Sequence, residues 1–464
     1  MMDLERLAAA LGAVEVVGRA PVEVRDLAYD TRTVVPGALF FCVPGLRVDG
    51  HEFAAEAVER GAVALVVERP LELAVPQLVV PDARAAMAPA ADEFFGRPTD
   101  ELAVAGVTGT SGKTTTAFLI YAILAAAGRR PGLLGTVVAR VGGERRGVVR
   151  TTPEAIDLQR IFREMLDAGD RSCAMEASSH AAQLHRLDRV RFSALVFTNL
   201  SQDHLDFHGD MESYFAAKRS LFLASRPPAA VNVGDEHGRR LARDLPDALT
   251  FGFAEDAAVG PSALEGIDLK LRGRFNVENA LGALAAARLL GIDDDAIARG
   301  LESVRGVPGR FESVDEGQPF TVIVDYAHKP GALENVLRAA RELAGGRVIV
   351  VLGAGGDRDR GKRPQMGRLA SELADVAIVT SDNPRSEDPQ AIIDEIVAGA
   401  TSDVEVEPDR ARAIARAIEL ARDGDVVLIS GKGAEQGQQF AERTIPFDDR
   451  ETARDALRTL GART

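Results

Sequence analysis

The chain has 464 residues, 46% hydrophobic and 27% charged, which is typical of a globular protein with enough length for about three domains. Its net charge of −15 and its lack of tryptophan argue against nucleic acid and an anionic membrane surface as partners. Cys42 and Cys173 have neither zinc nor redox spacing, and no apolar run reaches the roughly 18 residues of a membrane span, so we expect a cytoplasmic protein without membrane insertion.

The predicted elements begin with two α/β units, residues 1–98 and 99–308. Their predicted strands lie at residues 37–43, 62–67, 101–107, 172–175 and 194–198. A helix at 53–60 separates the first two strands, and another at 277–290 closes the second unit before a turn-rich stretch.

The third unit, residues 309–464, alternates most regularly between apolar strands and amphipathic helices. Its predicted strands lie at residues 320–324, 347–352, 376–380 and 425–429. Near-continuous runs of Val and Ile between helices are typical of a parallel, doubly wound sheet. We therefore predict an α/β protein with three domains, the last of them Rossmann-like.

A glycine-rich loop follows the strand predicted at 101–107. It reads Gly109-Thr110-Ser111-Gly112-Lys113-Thr114-Thr115. Glycines let backbone N–H groups face phosphate oxygens, the lysine reaches the β- and γ-phosphates, and Thr114 or Thr115 can hold Mg²⁺. A glycine-rich turn before a core helix is the alternative, but packing explains Lys-Thr-Thr poorly. We predict a central P-loop ATPase-type domain in which all seven residues bind ATP.

Two further polar residues, Glu176 and His204, follow predicted strands. Ligands bind at the carboxyl ends of parallel strands. A carboxylate, an imidazole and a P-loop hydroxyl would together suit Mg²⁺ on ATP phosphates. The i, i+4 pair His204 and His208 leaves zinc as an alternative, although no third soft ligand is evident.

Lys218 lies within the apolar stripe of a helix predicted at 211–224. The stripe consists of Met211, Tyr214, Phe215, Leu221 and Phe222. A lone ammonium is costly to bury there. Either the side chain snorkels to the surface, or CO₂ converts the amine to a carbamate, which carries a negative charge and can bind metal.

The ATP site is predicted to extend beyond the loop. Asn276 and Asn279 open a predicted helix as an i, i+3 pair, although capping by Asn276 is an alternative. Arg310 follows the turn between the second and third units, where it could neutralise the γ-phosphate as the domains close. Asp325 ends a Val/Ile strand, a position typical of ligand contacts.

Eight segments together resemble the Mur ligase family, the ATP-dependent amino-acid ligases of peptidoglycan synthesis. They are residues 109–115, 176–180, 198–204, 214–218, 275–279, 309–310, 325–330 and 353–364. The resemblance covers nearly the whole chain. It implies a ligase with ATP and Mg²⁺ as cofactors that serves peptidoglycan synthesis and thereby cell shape, cell division and the cell cycle. We expect a monomer with small-molecule partners.

The resemblance also implies a role for each unit. Residues 1–98 would bind the UDP-sugar, 99–308 ATP and 309–464 the incoming amino acid. Asn276, Asn279, Arg310 and Asp325 would bind ATP with the loop. Thr114, Thr115, Glu176, His204 and carbamylated Lys218 would bind Mg²⁺. The implied catalytic residues are Lys113, Lys218 and Arg310.

The implied reaction joins two small molecules. ATP phosphorylates the γ-carboxylate of D-glutamate in UDP-N-acetylmuramoyl-L-alanyl-D-glutamate, and an amine then attacks the acyl phosphate. The family positions for this substrate are Thr31, Thr151, Thr152, Ser178 and Arg186. A further family position, often Gln, is Leu184 here.

The implied amine is that of meso-diaminopimelate, because family members that add it carry Asp-Asn-Pro-Arg, here 382–385. Its distal carboxylate suits two parallel bonds from a guanidinium. The implied acceptor residues are Arg358, Asp382, Asn383, Pro384, Arg385, Gly431 and Glu435. The chain has Ala434 where the family commonly has His.

Two other functions stay open at this point. A folylpolyglutamate synthetase-like ligase would share the loop and fold, but the first unit and residues 382–385 argue against it. A non-catalytic nucleotide-binding regulator would not need the full set of family site residues.

Overall fold

Three large α/β sheets organise the computed structural model, which describes residues 1–18, 21–45 and 48–461. Each sheet lies within one of the three predicted units, and the predicted fold class is confirmed. The unit boundaries at residues 98 and 308 stay predictions. The predicted strands and helices form with ends shifted by at most three residues.

The first unit holds a five-stranded sheet. In spatial order its strands are Glu15–Val17, Gln77–Val79, Ala62–Val67, Ala38–Phe41 and Asp26–Ala28. Only the first pair is antiparallel among these described strands. The helices are Leu4–Leu11, Ala54–Glu59 and Ala83–Phe94, and a short ladder pairs Met2–Asp3 with Glu23–Val24. The central strands Ala38–Phe41 and Ala62–Val67 are apolar throughout, and their residues divide between two buried clusters.

The central unit holds an eight-stranded sheet. In spatial order its strands are Glu144–Arg146, Ala139–Val141, Pro131–Leu134, Ser172–Glu176, Ala103–Thr108, Phe192–Phe197, Ala229–Asn232 and Leu249–Phe251. The last six are parallel. The helices are Lys113–Ala126, Ala155–Asp167, Ser179–Gln183, Leu205–His208, Met211–Ser225, Glu236–Asp244, Arg274–Leu289 and Asp294–Ser303. The first and the last two of these helices pack in one core. The alanine-rich helix Arg274–Leu289 and Gly300, where a Cβ would lie 2.4 Å from Ile123 Cα, allow this close packing.

The third unit holds a six-stranded sheet. In spatial order its strands are Glu312–Val314, Thr321–Asp325, Val426–Ser430, Val348–Leu352, Val376–Val379 and Glu405–Val406. All its pairs but the first are parallel within the described residues. The helices are Pro330–Leu343, Lys362–Leu373, Pro389–Val397, Arg410–Leu420 and Asp449–Gly461, and Gly437–Gln439 pairs with Thr444–Pro446.

The carboxyl ends of the central parallel strands meet at one edge, as the topology rule requires. Val107 is in register with Glu176, and Thr108 with Phe197, so the P-loop, Glu176 and the segment after Phe197 are neighbours. A cleft of about 790 Å³ lies at this edge and is also lined by residues 325–329 of the third unit. No helix among the described residues is long and apolar enough to cross a membrane.

Candidate active site

The P-loop is held in a conformation that only glycine allows at two positions. Gly109 and Gly112 have φ angles of 146° and 85°. A Cβ on Gly109 would lie 1.9 Å from Thr198 Oγ1, and one on Gly112 would lie 2.3 Å from Asn279 Oδ1. Backbone conformation and close approach therefore both require these glycines.

Lys113 bends back across its own loop. Its Nζ donates to the carbonyl oxygens of Gly109 at 3.0 Å and Thr110 at 2.9 Å. Burial among protein atoms lowers the pKa of Lys113 to about 8. A phosphate bound over the loop would offer this amine a stronger, charge-assisted partner than the two carbonyls.

Thr114 joins the central unit to Arg310. Its Oγ1 donates to Glu176 Oε1 at 3.0 Å and accepts from Arg310 Nη2 at 3.2 Å. Glu176 is fully buried and also accepts from the backbone N–H and hydroxyl of Thr136. The structure thus brings together the P-loop, a strand-end carboxylate and the arginine from the domain junction.

The predicted metal residues Thr114, Thr115, Glu176, His204 and Lys218 all line the same cleft. A buried carboxylate beside a hydroxyl is a donor set of hard oxygens, which fits Mg²⁺. No group of three or more His, Cys, Asp or Glu able to hold a metal occurs in the described part of the chain. Among those residues the structure thus gives no support to the zinc alternative, although the His180 ring centroid lies 4.7 Å from that of His204 and 5.5 Å from that of His208.

Lys218 does not snorkel, because its side chain is 1% exposed. Its Nζ donates to the Gly109 carbonyl at 2.8 Å and lies 4.7 Å from the centroid of the Tyr214 ring. Burial, followed by the nearby charge of Lys113, holds the pKa of Lys218 well below its usual range. A neutral amine next to the P-loop is the form that reacts with CO₂.

His204 lies at the domain junction in a left-handed conformation, with φ of 53°. Its Nε2 is 2.9 Å from Asp203 Oδ2, and Asp203 forms an ion pair with Lys329 of the third unit. Burial raises the pKa of Asp203, but His204 and Lys329 outweigh it and hold the pKa well below its usual range. Asp203 thus connects the predicted metal residue to the third unit, a connection that the sequence did not predict.

The capping alternative for Asn276 is wrong, because the helix begins earlier, at Arg274 after Gly273. Asn276 Nδ2 donates to the Arg272 carbonyl at 2.8 Å, and its Oδ1 accepts from Asn279 at 3.1 Å. Asn279 packs against Gly112 of the P-loop and lines the cleft. The left-handed Gly273 starts the helix three residues before the sequence pattern predicted.

Asp325 is buried at the end of its strand, as predicted. Its two carboxylate oxygens accept from the backbone N–H groups of Phe311 and Ala327, each at 2.7 Å. Burial raises the pKa of this carboxyl, and Arg310 and the two N–H groups oppose that effect. Asp325 thereby fixes the chain next to Arg310, whose guanidinium lies 4.4 Å over the Tyr326 ring.

Four of the predicted sugar-nucleotide residues also meet at the cleft. Thr152 Oγ1 donates to the Glu176 carbonyl at 2.9 Å and contacts Ser178 Oγ at 3.2 Å. Thr151 Oγ1 is 3.0 Å from Thr136 Oγ1, and Arg186 donates to the Thr152 carbonyl at 3.2 Å. The fifth, Thr31, lies in a short 3₁₀ turn of the first unit and is not among the residues that line the cleft.

The predicted acceptor residues form a second cluster in the third unit. Asn383 Nδ2 donates to Glu435 Oε2 at 2.8 Å, and a Cβ on Gly431 would lie 2.6 Å from Asp382 Oδ2. Arg385 follows Pro384 and donates to the Gly356 carbonyl at 2.7 Å. These residues are not among those that line the cleft.

Arg358 and Tyr326 show where this cluster lies relative to the cleft. Arg358 is exposed and lines the cleft. Tyr326 also lines it, and its pKa is raised to about 12 by burial and by the charge of Glu435. The acceptor cluster therefore lies close behind one wall of the cleft.

Sequence reasoning missed Lys432, the centre of the acceptor cluster. Its side chain is fully buried, and its Nζ donates to Asn383 Oδ1 at 2.8 Å. Asp382 Oδ1 and Glu435 Oε2 lie 3.4 Å from the same nitrogen. The sequence could have indicated this residue, because it lies between Gly431 and Glu435, which were both predicted to contact the incoming amino acid.

Comparison with known proteins gives three family matches in chain order. Residues 23–94 match the Mur ligase family catalytic domain, residues 107–287 the Mur ligase middle domain, and residues 309–433 the Mur ligase glutamate ligase domain.

Similar proteins are found along the full length of the chain. A protein of Solibacter usitatus named UDP-N-acetylmuramoyl-L-alanyl-D-glutamate–2,6-diaminopimelate ligase is 48% identical, with 95% of each chain covered. One of the same name from Geobacillus thermodenitrificans is 46% identical, with 98% of this chain and 99% of that protein covered. A solved structure of that name has a TM-score of 0.68 at 29% identity, covering 97% of this chain and 98% of that one.

Proposed function

The chain belongs to the Mur ligase family, and from that membership we propose that it joins meso-diaminopimelate to UDP-N-acetylmuramoyl-L-alanyl-D-glutamate with ATP. The product is a peptidoglycan precursor. The observation that carries the proposal is the meeting of P-loop, Glu176 and Arg310 at Thr114, in one cleft with four of the five residues predicted to bind the sugar nucleotide.

The reaction begins with transfer of the γ-phosphoryl group of ATP to the γ-carboxylate of D-glutamate. The bond from the γ-phosphorus to the bridging oxygen breaks, ADP leaves, and an acyl phosphate forms. Lys113 and Arg310 offset the charge of the transferring group from two sides. Asn279, packed on Gly112, keeps the loop in the conformation that receives the phosphates.

The amine of meso-diaminopimelate then attacks the acyl carbon. The tetrahedral intermediate loses inorganic phosphate and a proton and leaves the amide. Arg385 and Arg358 bind the distal carboxylate, and Glu435, held by Asn383, receives the distal ammonium. Closure of the third unit on the central one, through Arg310 and the Asp203–Lys329 pair, excludes water from the acyl phosphate.

Thr114, Glu176 and His204, with Lys218 as its carbamate, would hold Mg²⁺, which neutralises phosphate charge when bound. The carbamate forms when the neutral amine of Lys218 attacks CO₂ and loses a proton. The burial of this amine next to the loop supports the proposal. The protein would act in the cytoplasm, where nucleotide precursors are made.

The test is a panel of amino acids in a phosphate-release assay with the UDP-dipeptide and ATP present. We expect release with meso-diaminopimelate and little with L-lysine, which lacks the distal carboxylate, and mass spectrometry should show the tripeptide product. Phosphate release that does not depend on the UDP-dipeptide would contradict the proposal. Equal turnover of L-lysine would contradict the choice of acceptor.

A further inference from the structure

Glu154 lies where the first and central units meet. It precedes the helix Ala155–Asp167, yet its carboxylate makes no capping bond there. Instead its side chain, 5% exposed, faces three arginines. Arg186 Nη2 lies 2.8 Å from Oε1, Arg150 Nη1 3.7 Å from Oε1, and Arg84 Nη1 3.4 Å from Oε2.

The three arginines come from separate parts of the chain. Arg84 is on the first-unit helix Ala83–Phe94, Arg150 precedes Thr151, and Arg186 follows the helix Ser179–Gln183. Three guanidinium groups around one carboxylate leave a surplus of two positive charges. Without Glu154 they would repel one another. Burial lowers the pKa of Arg186, Glu154 opposes that effect, and the charges of Arg150 and Arg84 add to it.

Two of the three arginines face the cleft, and Arg84 is not among the residues that line it. Arg150 and Arg186 line it next to Thr151 and Thr152. Arg186 Nε is buried and has no hydrogen-bond partner in the part of the chain that the structure describes. Arg150 is half exposed, and its long contact with Glu154 leaves most of its donors available.

We propose that Glu154 is a positioning residue that gathers Arg84, Arg150 and Arg186 into a binding site for an anionic group of the sugar-nucleotide substrate. The inference rests on the proposed function, which supplies that substrate. Its anionic groups beyond the reacting carboxylate are the diphosphate and the α-carboxylate of D-glutamate. Because Arg84 belongs to the first unit, the site also fastens that unit to the central one beside the bound substrate.

Glu154→Gln tests the role, with Glu164→Gln as the matched control. Glu164 lies on the helix that Glu154 precedes, is 41% exposed and pairs only with Arg146 among the described residues. We expect Glu154→Gln to raise KM for the UDP-dipeptide by roughly tenfold or more, since each good charged hydrogen bond is worth that much. KM for ATP and meso-diaminopimelate should not change, and the control should match the wild type.

A second variant, Arg150→Met, covers the possibility that Glu154→Gln fails to fold, because Arg150 is near the surface. It should raise the same KM. An unchanged or lower KM in both variants, or an equal rise in the control, would overturn the inference. If KM rises for all three substrates together, the residues are merely structural and the inference also fails.

An analogue of the UDP-dipeptide in which an amide replaces the α-carboxylate of D-glutamate shows which anionic group the site binds. If the site takes the α-carboxylate, Glu154→Gln will not alter KM for the amide, and if it takes the diphosphate, KM will rise equally for both compounds. A wild-type protein that shows no turnover would refute the proposed function. In that case calorimetry would give the Kd of the UDP-dipeptide for the wild type and each variant. A higher Kd in Glu154→Gln and Arg150→Met than in the wild type and the control would support the inference, and an unchanged Kd would overturn it.

Discussion

Replacing Lys432 with methionine should weaken binding of the incoming amino acid more than that of either other substrate. Methionine keeps the apolar stem but removes the charge and the donors of Nζ. The Asn383 amide then loses its 2.8 Å bond, and Asp382 and Glu435 lose the cation that lies 3.4 Å from each. Asn383 still accepts from the backbone of Gln439 at 2.9 Å, so its position is loosened rather than lost.

The magnitude follows from these contacts. A hydrogen bond to a charged group is worth about 1.5–3 kcal/mol, and removing one partner of a buried ion pair costs about 3–5 kcal/mol. Glu435 is 39% exposed, so its share is screened, whereas Asp382 is buried and carries most of the cost. We expect the free energy of unfolding to fall by about 3 kcal/mol and KM for meso-diaminopimelate to rise by roughly tenfold.

Two measurements check this prediction. Urea unfolding followed by circular dichroism gives the stability, because the chain has no tryptophan for fluorescence. Phosphate release with each substrate varied in turn gives the three KM values. Lys270→Met, at an exposed lysine paired with Asp268, is the control. If the variant loses stability but keeps its KM for meso-diaminopimelate, Lys432 serves the fold alone and the reasoning is refuted.

Three other changes give further predictions. Lys218→Ala should lower kcat by about 10²-fold, because it removes a charge from the metal site. Wild-type activity should also fall in buffer freed of CO₂. An unaffected rate in the variant would contradict the carbamate. Arg385→Lys should lower kcat/KM for meso-diaminopimelate by about tenfold, because lysine cannot form two parallel bonds to a carboxylate; unchanged kcat/KM would refute the assignment. Hydrogen bonds from buried Arg363 lower the pKa of Glu387 from 4.5 to about 2. The ionised carboxylate therefore stabilises the fold above pH 4.5, and this stabilisation is lost as the pH falls toward 2. Glu387→Gln should therefore flatten the fall in unfolding free energy over that range in urea titrations, and parallel curves for the two proteins would contradict the sign.

The fold was predictable from the sequence because its strands are short apolar runs and its helices have clear periodicity. The strand predicted at 376–380 and the helix predicted at 211–224 form within one residue of those bounds. Helix starts were predicted less well where backbone conformation decides them, as at Gly273. The P-loop was predictable because its residue types serve phosphate binding and little else.

Contacts between distant parts of the chain were not predictable. Lys329 and Asp203 are 126 positions apart, and Arg84 and Glu154 are 70 apart. Neither pair has a local pattern, since each residue alone resembles any exposed charge. Only the packing of the domains brings them together. Arg310 and Thr114, 196 positions apart, were both predicted to bind ATP, but their direct hydrogen bond was not predicted.

The net charge of −15 is compatible with substrates that are anionic, or zwitterionic with two carboxylates, because the cations that would meet them lie inside the protein. Lys432 is fully buried, and Lys113 and Arg310 line the cleft. Within a cleft the effective dielectric is lower than in water, and salt screens such charges less. A few placed cations there outweigh many acidic groups on the surface, whose fields are screened within about 10 Å. Each of these three cations is held by a carbonyl, hydroxyl or carboxylate of the chain. We therefore expect the site to be arranged before any substrate binds, and phosphate or carboxylate oxygens to replace these partners on binding.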